Sequence, residues 1–260
     1  MTSTACGVRM LAPARPPVKA GESVVRPAAP GILPGVRTAV IIPARNEEAS
    51  LPLVLGAIPA RLVEEVVVVD NASTDRTAEA ARSWGASILF EPRPGYGAAC
   101  QRGVDYLKAK RPDVVVFLDA DFSDHPEEMP LLLEPIARGT ADLVIGSRVL
   151  GRRETGALLP QARLGNWLAT RLMNLFYGGR FTDLGPFRAI RFDALLDLGL
   201  ADRGFGWTAE MQVKALKADL RTAEVPVSYR RRVGVSKITG TVSGTVRAGA
   251  RILWTIGRHL

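Results

Sequence analysis

Apolar residues in this chain come in short, dense bursts separated by segments in which they recur every three or four positions. The bursts predict strands over residues 38–43, 65–70, 86–90, 114–119 and 142–146, and the sparser spacing predicts helices over 47–57, 74–84, 97–109 and 126–137. Four of the strands are near-continuous and β-branched, the pattern of a parallel sheet covered on both faces. A doubly wound α/β unit, Rossmann-like and mostly parallel, follows. Beyond Arg148 the rhythm lengthens: a helix over 164–177, a Gly-rich stretch through Gly185, a helix over 208–218 and a strand over 221–229. The final segment, 241–260, sets Val242, Val246, Leu253, Ile256 and Leu260 on one helical face and Arg247, Arg251 and Arg258 on the other. Such a basic amphipathic helix either packs on the domain or lies on a membrane surface, with Leu253, Trp254 and Ile256 entering the interface. The second use is the one expected here.

Residues 1–36 hold six prolines and no sustained period, and read as a disordered tail. The expected organisation is that tail, one catalytic domain over 37–238 and the helix over 239–260. With 260 residues and 47% hydrophobic content, a core of ordinary size needs no disulfide or structural metal. Cys6 and Cys100 have no metal-ligand spacing. No apolar run is long enough to span a bilayer, and the first residues lack the apolar core of a secretory signal. The expectation is a cytoplasmic protein, peripheral on the inner face of the membrane.

The net charge of +8 is concentrated at the ends: five basic residues and one acid up to Arg37, and seven basic residues with no acid from Val225 onward. Phosphate-bearing partners should therefore meet the C-terminal region. No aromatic-plus-basic recognition motif accompanies that charge, which argues against nucleic acid as the partner.

In an open parallel sheet, ligands bind beyond the carboxyl ends of the strands. Those ends read Pro43-Ala44-Arg45-Asn46-Glu47-Glu48, Asp70-Asn71-Ala72-Ser73, Asp119-Ala120-Asp121 and Gly146-Ser147-Arg148. The two glutamates after the first strand would repel a phosphate at the helix N-terminus, which excludes a dinucleotide fingerprint, and no Gly-Lys-Ser/Thr follows any strand. Asn46 and Glu47 also fit a plain helix cap. Asp119 and Asp121 lie on one side of an extended chain, where their repulsion calls for a cation. Oxygen ligands of this type suit Mg²⁺ or Mn²⁺ completed by substrate phosphates, so a diphosphate is the expected reactant.

Taken in order, these motifs resemble those of a family 2 glycosyltransferase with the GT-A fold, over residues 40–237, closest in pattern to dolichyl- and polyprenyl-phosphate mannose or glucose synthases. The series continues through Arg93-Pro94-Gly95-Tyr96-Gly97 with Gly103, then Asp183, Gly185, Phe187 and Arg188, then Glu210, and Arg231 with Gly234, Ser236 and Lys237. The resemblance implies inverting transfer from a nucleotide sugar, with Asp119 and Asp121 at the metal. It further implies donor contacts from Pro43, Ala44, Asn46, Glu47, Asp70, Ser73, Gly97, Asp119, Arg148, Arg231, Ser236 and Lys237. The expected acceptor is a lipid phosphate, polyprenyl phosphate, with a soluble hydroxyl acceptor as the alternative. A hydroxyl would need a base: Glu210 is the first candidate and Asp183 the second, unless Glu210 instead pairs with an arginine and orders the acceptor loop. Asn71 and Ala72 depart from the Asp and Gly common there, and Tyr96 stands inside the Gly pair.

Overall fold

The computed structural model describes residues 35–234 and 242–260; Ser236, Lys237 and the N-terminal tail lie outside them. Seven strands form one sheet: β1 (Thr38–Ala44), β2 (Glu65–Asp70), β3 (Ser87–Phe90), β4 (Val114–Phe117), β5 (Leu143–Ser147), β6 (Arg188–Arg191) and β7 (Thr222–Pro226), in the spatial order β3-β2-β1-β4-β6-β5-β7. β1 pairs parallel with β2 and β4, β2 with β3, and β5 with β7. β6 runs antiparallel to both β4 and β5. The pattern of apolar bursts does not reveal β6, because its sequence is Arg-Ala-Ile-Arg; Arg188 is nevertheless fully buried.

Alternation along the strands builds two core layers. Ile41, Val67, Val115 and Phe117 face α3 (Tyr96–Leu107), α5 (Pro160–Tyr177) and α7 (Trp207–Lys217), while Val40, Ile42, Val68 and Val116 face α1 (Leu51–Ala57), α2 (Thr77–Ser83) and α4 (Met129–Ala137). A short α6 (Phe192–Asp197) follows β6. The helix expected from residue 47 starts only at Leu51, because Asn46 takes φ of 54° and the chain turns through 47–50 before the helix begins. Among the described residues, no helix is long and apolar enough to cross a membrane.

The last helix, α8 (Val242–Arg258), is amphipathic as expected, but it sits on the domain differently from the expected surface pose. Thr255 and Ile256 are buried against the domain, and Arg251 and Arg258 turn inward to Asp202 (2.8 Å) and Glu210 (3.0 Å). Val246, Leu253 and Leu260 are left exposed. The buried Asp202 carboxylate outweighs the apolar stripe in setting the helix rotation, since leaving it without Arg251 would cost more than exposing a few aliphatic side chains.

The far end of the sheet is stapled by Asp142. It takes Arg221 Nε (2.9 Å) and Nη2 (2.7 Å) and Arg191 Nη1 (3.3 Å), joining the segments that start β5, end β6 and enter β7. The hydrogen bonds from Arg221 hold its carboxyl down at about 2. A depressed carboxyl stabilises the fold above its ordinary value near 4, and that contribution declines as pH falls below about 4 and is lost below about 2. Asp142→Asn should therefore cost about 1 to 2 kcal/mol at pH 7, the paired guanidiniums being half-exposed, and much less at pH 2, where the carboxyl is half protonated. Urea titrations at the two pH values test this; an equal cost at both would exclude the ionic staple.

Candidate active site

A cleft opens beyond the carboxyl ends of β1, β2 and β4. Pro43, Ala44, Arg45 and Glu47 line it from the first turn, Asn71 from the second, Gly95 and Tyr96 from the third, and Asp119, Ala120 and Asp121 from the fourth; Phe205 and Arg232 close it. Asn46, Asp70 and Ser73, expected at the donor, are outside the cleft lining and order its first two turns. The Asn46 amide donates to Ser73 Oγ (3.0 Å), Asn46 Oδ1 accepts from the Thr74 amide (2.7 Å), and Asp70 Oδ1 accepts from the Ser73 amide (2.9 Å). Asn46 is thus a clamp across the cleft wall.

Asn71 explains its own departure from Asp. Its Nδ2 donates to the carbonyls of Glu91 (3.1 Å) and Arg93 (2.8 Å), and its Oδ1 accepts from the Gly95 amide (2.8 Å). A carboxylate has no N–H for those two carbonyls. The amide thereby sets the third turn, where Gly95 takes φ of 155° and Gly97 packs so closely that a β-carbon would strike the Asp202 carbonyl. Gly97 is buried against this backbone and does not line the cleft. The two glycines let the loop before α7 close on α3, which brings Phe205 into the cleft, while the neighbouring Trp207 packs edge-on against Phe117 in the core.

Asp119 and Asp121 meet at the cleft floor. Asp121 Oδ1 accepts from the Ser123 amide (2.9 Å), and its Oδ2 lies 3.3 Å from Arg232 Nη1. The other arm of Arg232 reaches Glu47 Oε1 at 2.9 Å, so one guanidinium bridges the first and fourth turns. Burial, then the neighbouring charge of Asp121, pushes the Asp119 carboxyl up to about 7. Asp124, three residues on, is 2% exposed, and neither of its carboxylate oxygens has a partner. Its carboxyl is raised well above the ordinary range by burial first and then by Asp119 and Asp121. The fold thus gathers more acidity here than its own cations balance, which is the chemistry a divalent ion answers. Among the described residues no three carboxylate, His or Cys groups converge on one point. The protein offers an incomplete oxygen set, the type that Mg²⁺ or Mn²⁺ completes with substrate phosphate and water.

The basic segment after β7 alternates. Arg230 stacks over Phe122 at 3.8 Å and donates to the Asp124 carbonyl (3.0 Å), and Arg232 enters the cleft. Arg231, the residue expected over the diphosphate, points away: its amide bonds Glu154 (2.8 Å) and its Nε the Thr155 carbonyl (2.8 Å). In an extended segment residues i and i+2 share a side; that period separates Arg231 from its two neighbours but does not by itself choose Arg232 over Arg230.

Neither base candidate lines the cleft. Asp183 is fully buried and bidentate to Arg148, Oδ2 to Nε at 2.8 Å and Oδ1 to Nη2 at 2.7 Å, with the Arg148 amide also on Oδ2 (2.8 Å). Arg148 is therefore engaged with Asp183 and stacks over Tyr229 at 5.1 Å, away from the cleft lining. Glu210 accepts from the amides of Ala201 (3.0 Å) and Asp202 (2.7 Å) and pairs with Lys214 and Arg258. Burial alone would raise its carboxyl; those amides and Lys214 outweigh it and hold it low. The loop that carries Asp183 is pinned from four sides. Glu224 accepts from the amides of Thr182 and Asp183, Asn166 donates to the Thr182 carbonyl and accepts from the Leu184 amide, Gln212 donates to the Asp183 carbonyl, and the buried Arg188 donates to the carbonyls of Leu184 and Gly185.

Comparison with known proteins fits this arrangement. Residues 39–199 match the family described as Glycosyl transferase family 2. An uncharacterized glycosyltransferase of Mycobacterium tuberculosis is 41% identical over 82% of this chain and 95% of its own length. The undecaprenyl-phosphate mannosyltransferase of Micrococcus luteus is 34% identical over 80% of this chain and 90% of its own. Among solved structures, glucosyl-3-phosphoglycerate synthase of M. tuberculosis, in complex with Mn²⁺, UDP and phosphoglyceric acid, superposes with a TM-score of 0.73 at 23% identity, over 91% of this chain and 84% of that one.

Proposed function

Because the chain belongs to glycosyl transferase family 2 and has the GT-A fold, we propose that this glycosyltransferase moves a hexose from a nucleoside-diphosphate sugar to a polyprenyl phosphate, with inversion at the sugar carbon. One observation carries the reading: the Asp119–Asp121 pair lies on the floor of a cleft walled by the strand-end turns, with the Arg232 cation already drawn onto Asp121 and Glu47. Asp121, with Asp119 beside it, would hold Mg²⁺ or Mn²⁺. When bound, such an ion supplies Lewis-acid stabilisation of the departing diphosphate. Arg45 and Arg232 supply further positive charge at the cleft, and charge-assisted hydrogen bonds from Arg232 to phosphate oxygens require it to leave Asp121. Glu47, which lines the cleft beside the first turn, would contact the nucleoside, and Phe205 the sugar or acceptor.

The engagement of Asp183 and Glu210 supports a phosphate acceptor. A hydroxyl nucleophile needs a carboxylate within about 2.6 to 3.2 Å to take its proton, whereas an ionised phosphate oxygen does not. In this reading Asp183 and Glu210 are positioning residues that shape the acceptor side through Arg148 and through the loop 201–206. The relative named for undecaprenyl phosphate points the same way; the phosphoglyceric acid complex of the solved neighbour supplies the alternative, a small phosphorylated hydroxyl acceptor.

The experiment incubates the purified protein with Mn²⁺ or Mg²⁺, a panel of radiolabelled nucleotide sugars, and either polyprenyl phosphate or phosphoglycerate, then separates organic and aqueous phases. Label in the organic phase with one donor, dependent on the ion, is the expected result. Label transferred only to the aqueous acceptor would move the reading to the soluble alternative. Absence of transfer, of donor hydrolysis and of calorimetric donor binding would overturn it.

A further inference from the structure

The outer face of α5 carries an apolar stripe where a surface helix ordinarily presents polar residues. Helical spacing aligns Leu164, Trp167, Leu168 and Leu175, and they are 65%, 59%, 38% and 72% exposed. The opposite face, through Ala169, Thr170 and Met173, is buried. α5 is therefore apolar on the side that meets solvent. Beside it, α8 exposes Leu253 and Trp254, the latter stacked with Arg251 and Arg258. Arg163 and Arg171 border and interrupt the stripe; both are exposed, and neither has a carboxylate partner among the described residues.

We propose that this face of α5 and α8 docks on an anionic lipid bilayer. Charge selects that occupant. Residues 155–182 contain Arg163, Arg171 and Arg180 and no acid, and α8 has no acid either. A second copy seated on this face would set arginine against arginine with no carboxylate between them. Acidic headgroups supply the missing negative charge, the apolar side chains enter the interface, and the arginine stems lie along it with their guanidiniums at the phosphates. Arg251 and Arg258, engaged with Asp202 and Glu210, are not needed for this. The inner face of α5 is tied to the acceptor side, since Asn166 bonds the Thr182 carbonyl (3.0 Å) and the Leu184 amide (2.9 Å). Docking would hold that loop one helix diameter from the leaflet. The docking itself does not depend on the acceptor; only its use in delivering a lipid phosphate rests on the function proposed above.

The test uses the full chain without donor or acceptor, sedimented with vesicles of equal phosphatidylglycerol and phosphatidylcholine or of phosphatidylcholine alone. The expected result is pelleting with the anionic vesicles at low salt, release as salt rises, and a loss of about tenfold or more in affinity for L164E/W167E/L175E. R163E/R171E should lose the preference for anionic vesicles, and L53E, an exposed apolar position on α1, should bind like the wild type. Wild-type protein left in the supernatant, or a stripe variant that pellets like the wild type, overturns the proposal. So does a wild-type dimer in sedimentation velocity that the stripe variant converts to monomer while vesicle binding is absent. Donor hydrolysis in vesicle-free solution should be the same in wild type and stripe variant. Its absence from both would count against the transferase reading and leave the docking result standing.

Discussion

Asp121→Ala is expected to lower sugar transfer by at least about 10³-fold, the loss of roughly 4 kcal/mol of transition-state stabilisation, while the protein stays folded. The reasoning starts from the ground state. Asp119 and Asp121 repel each other at the cleft floor, and this repulsion contributes to the raised Asp119 carboxyl. Removing Asp121 relieves it, while Arg232 retains Glu47 and so is not left as an unpaired charge. The loss of the two hydrogen bonds that the Ser123 amide and hydroxyl donate to Asp121 costs about 1 to 2 kcal/mol in the opposite sense. Thermal stability without added ion should therefore change by little, while the Mn²⁺-dependent increase in midpoint expected of the wild type should vanish. Asp121→Asn, which keeps the Ser123 acceptor, should be equally inactive. A variant with wild-type turnover would end the assignment of Asp121 to the metal, and a variant that unfolds would show that the carboxylate serves the fold instead.

The second large effect is on stability. Asp183→Asn should destabilise the protein by about 3 to 5 kcal/mol, because it leaves the Arg148 guanidinium largely buried without its counter-charge. Burial opposes the charge on Arg148, and the carboxylate of Asp183 more than offsets that, holding the guanidinium well above its ordinary range. Arg148→Met should cost a similar amount, and the double variant less than the sum, since the second change removes the group that the first one orphaned. Urea midpoints of the four proteins measure this directly. If Asp183 were instead a catalytic base, Asp183→Asn would keep wild-type stability and lose turnover; that pattern would return it to the chemistry.

Both predictions concern residues that the sequence singles out, and the fold separates their roles. Asp121 lines the cleft because it lies in the turn that follows the buried β4, beside the first two turns. Asp183 arrives from a loop whose partners are 35 residues earlier at Arg148 and 41 later at Glu224. Periodicity has no access to such pairings. Arg232 illustrates the same limit. Three consecutive arginines are visible, but the packing of the segment after β7 onto Asp124 and Phe122 decides which one enters the cleft.

The sequence by itself determined the parallel half of the sheet, the carboxyl-end location of the cleft and the acidic pair on its floor. These depend on local patterns: apolar strands, the helices between them, and the residues that close each strand. Only the tertiary structure decided that β6 inserts antiparallel between β4 and β5, that Asn71 sets the third turn, that Asp183 and Glu210 are engaged by arginines, and that α8 turns its arginines inward. Each of these satisfies a buried polar or charged group with a partner distant in the chain. The cost of leaving such a group unpaired is paid in three dimensions, so it overrides local preference without leaving a local trace.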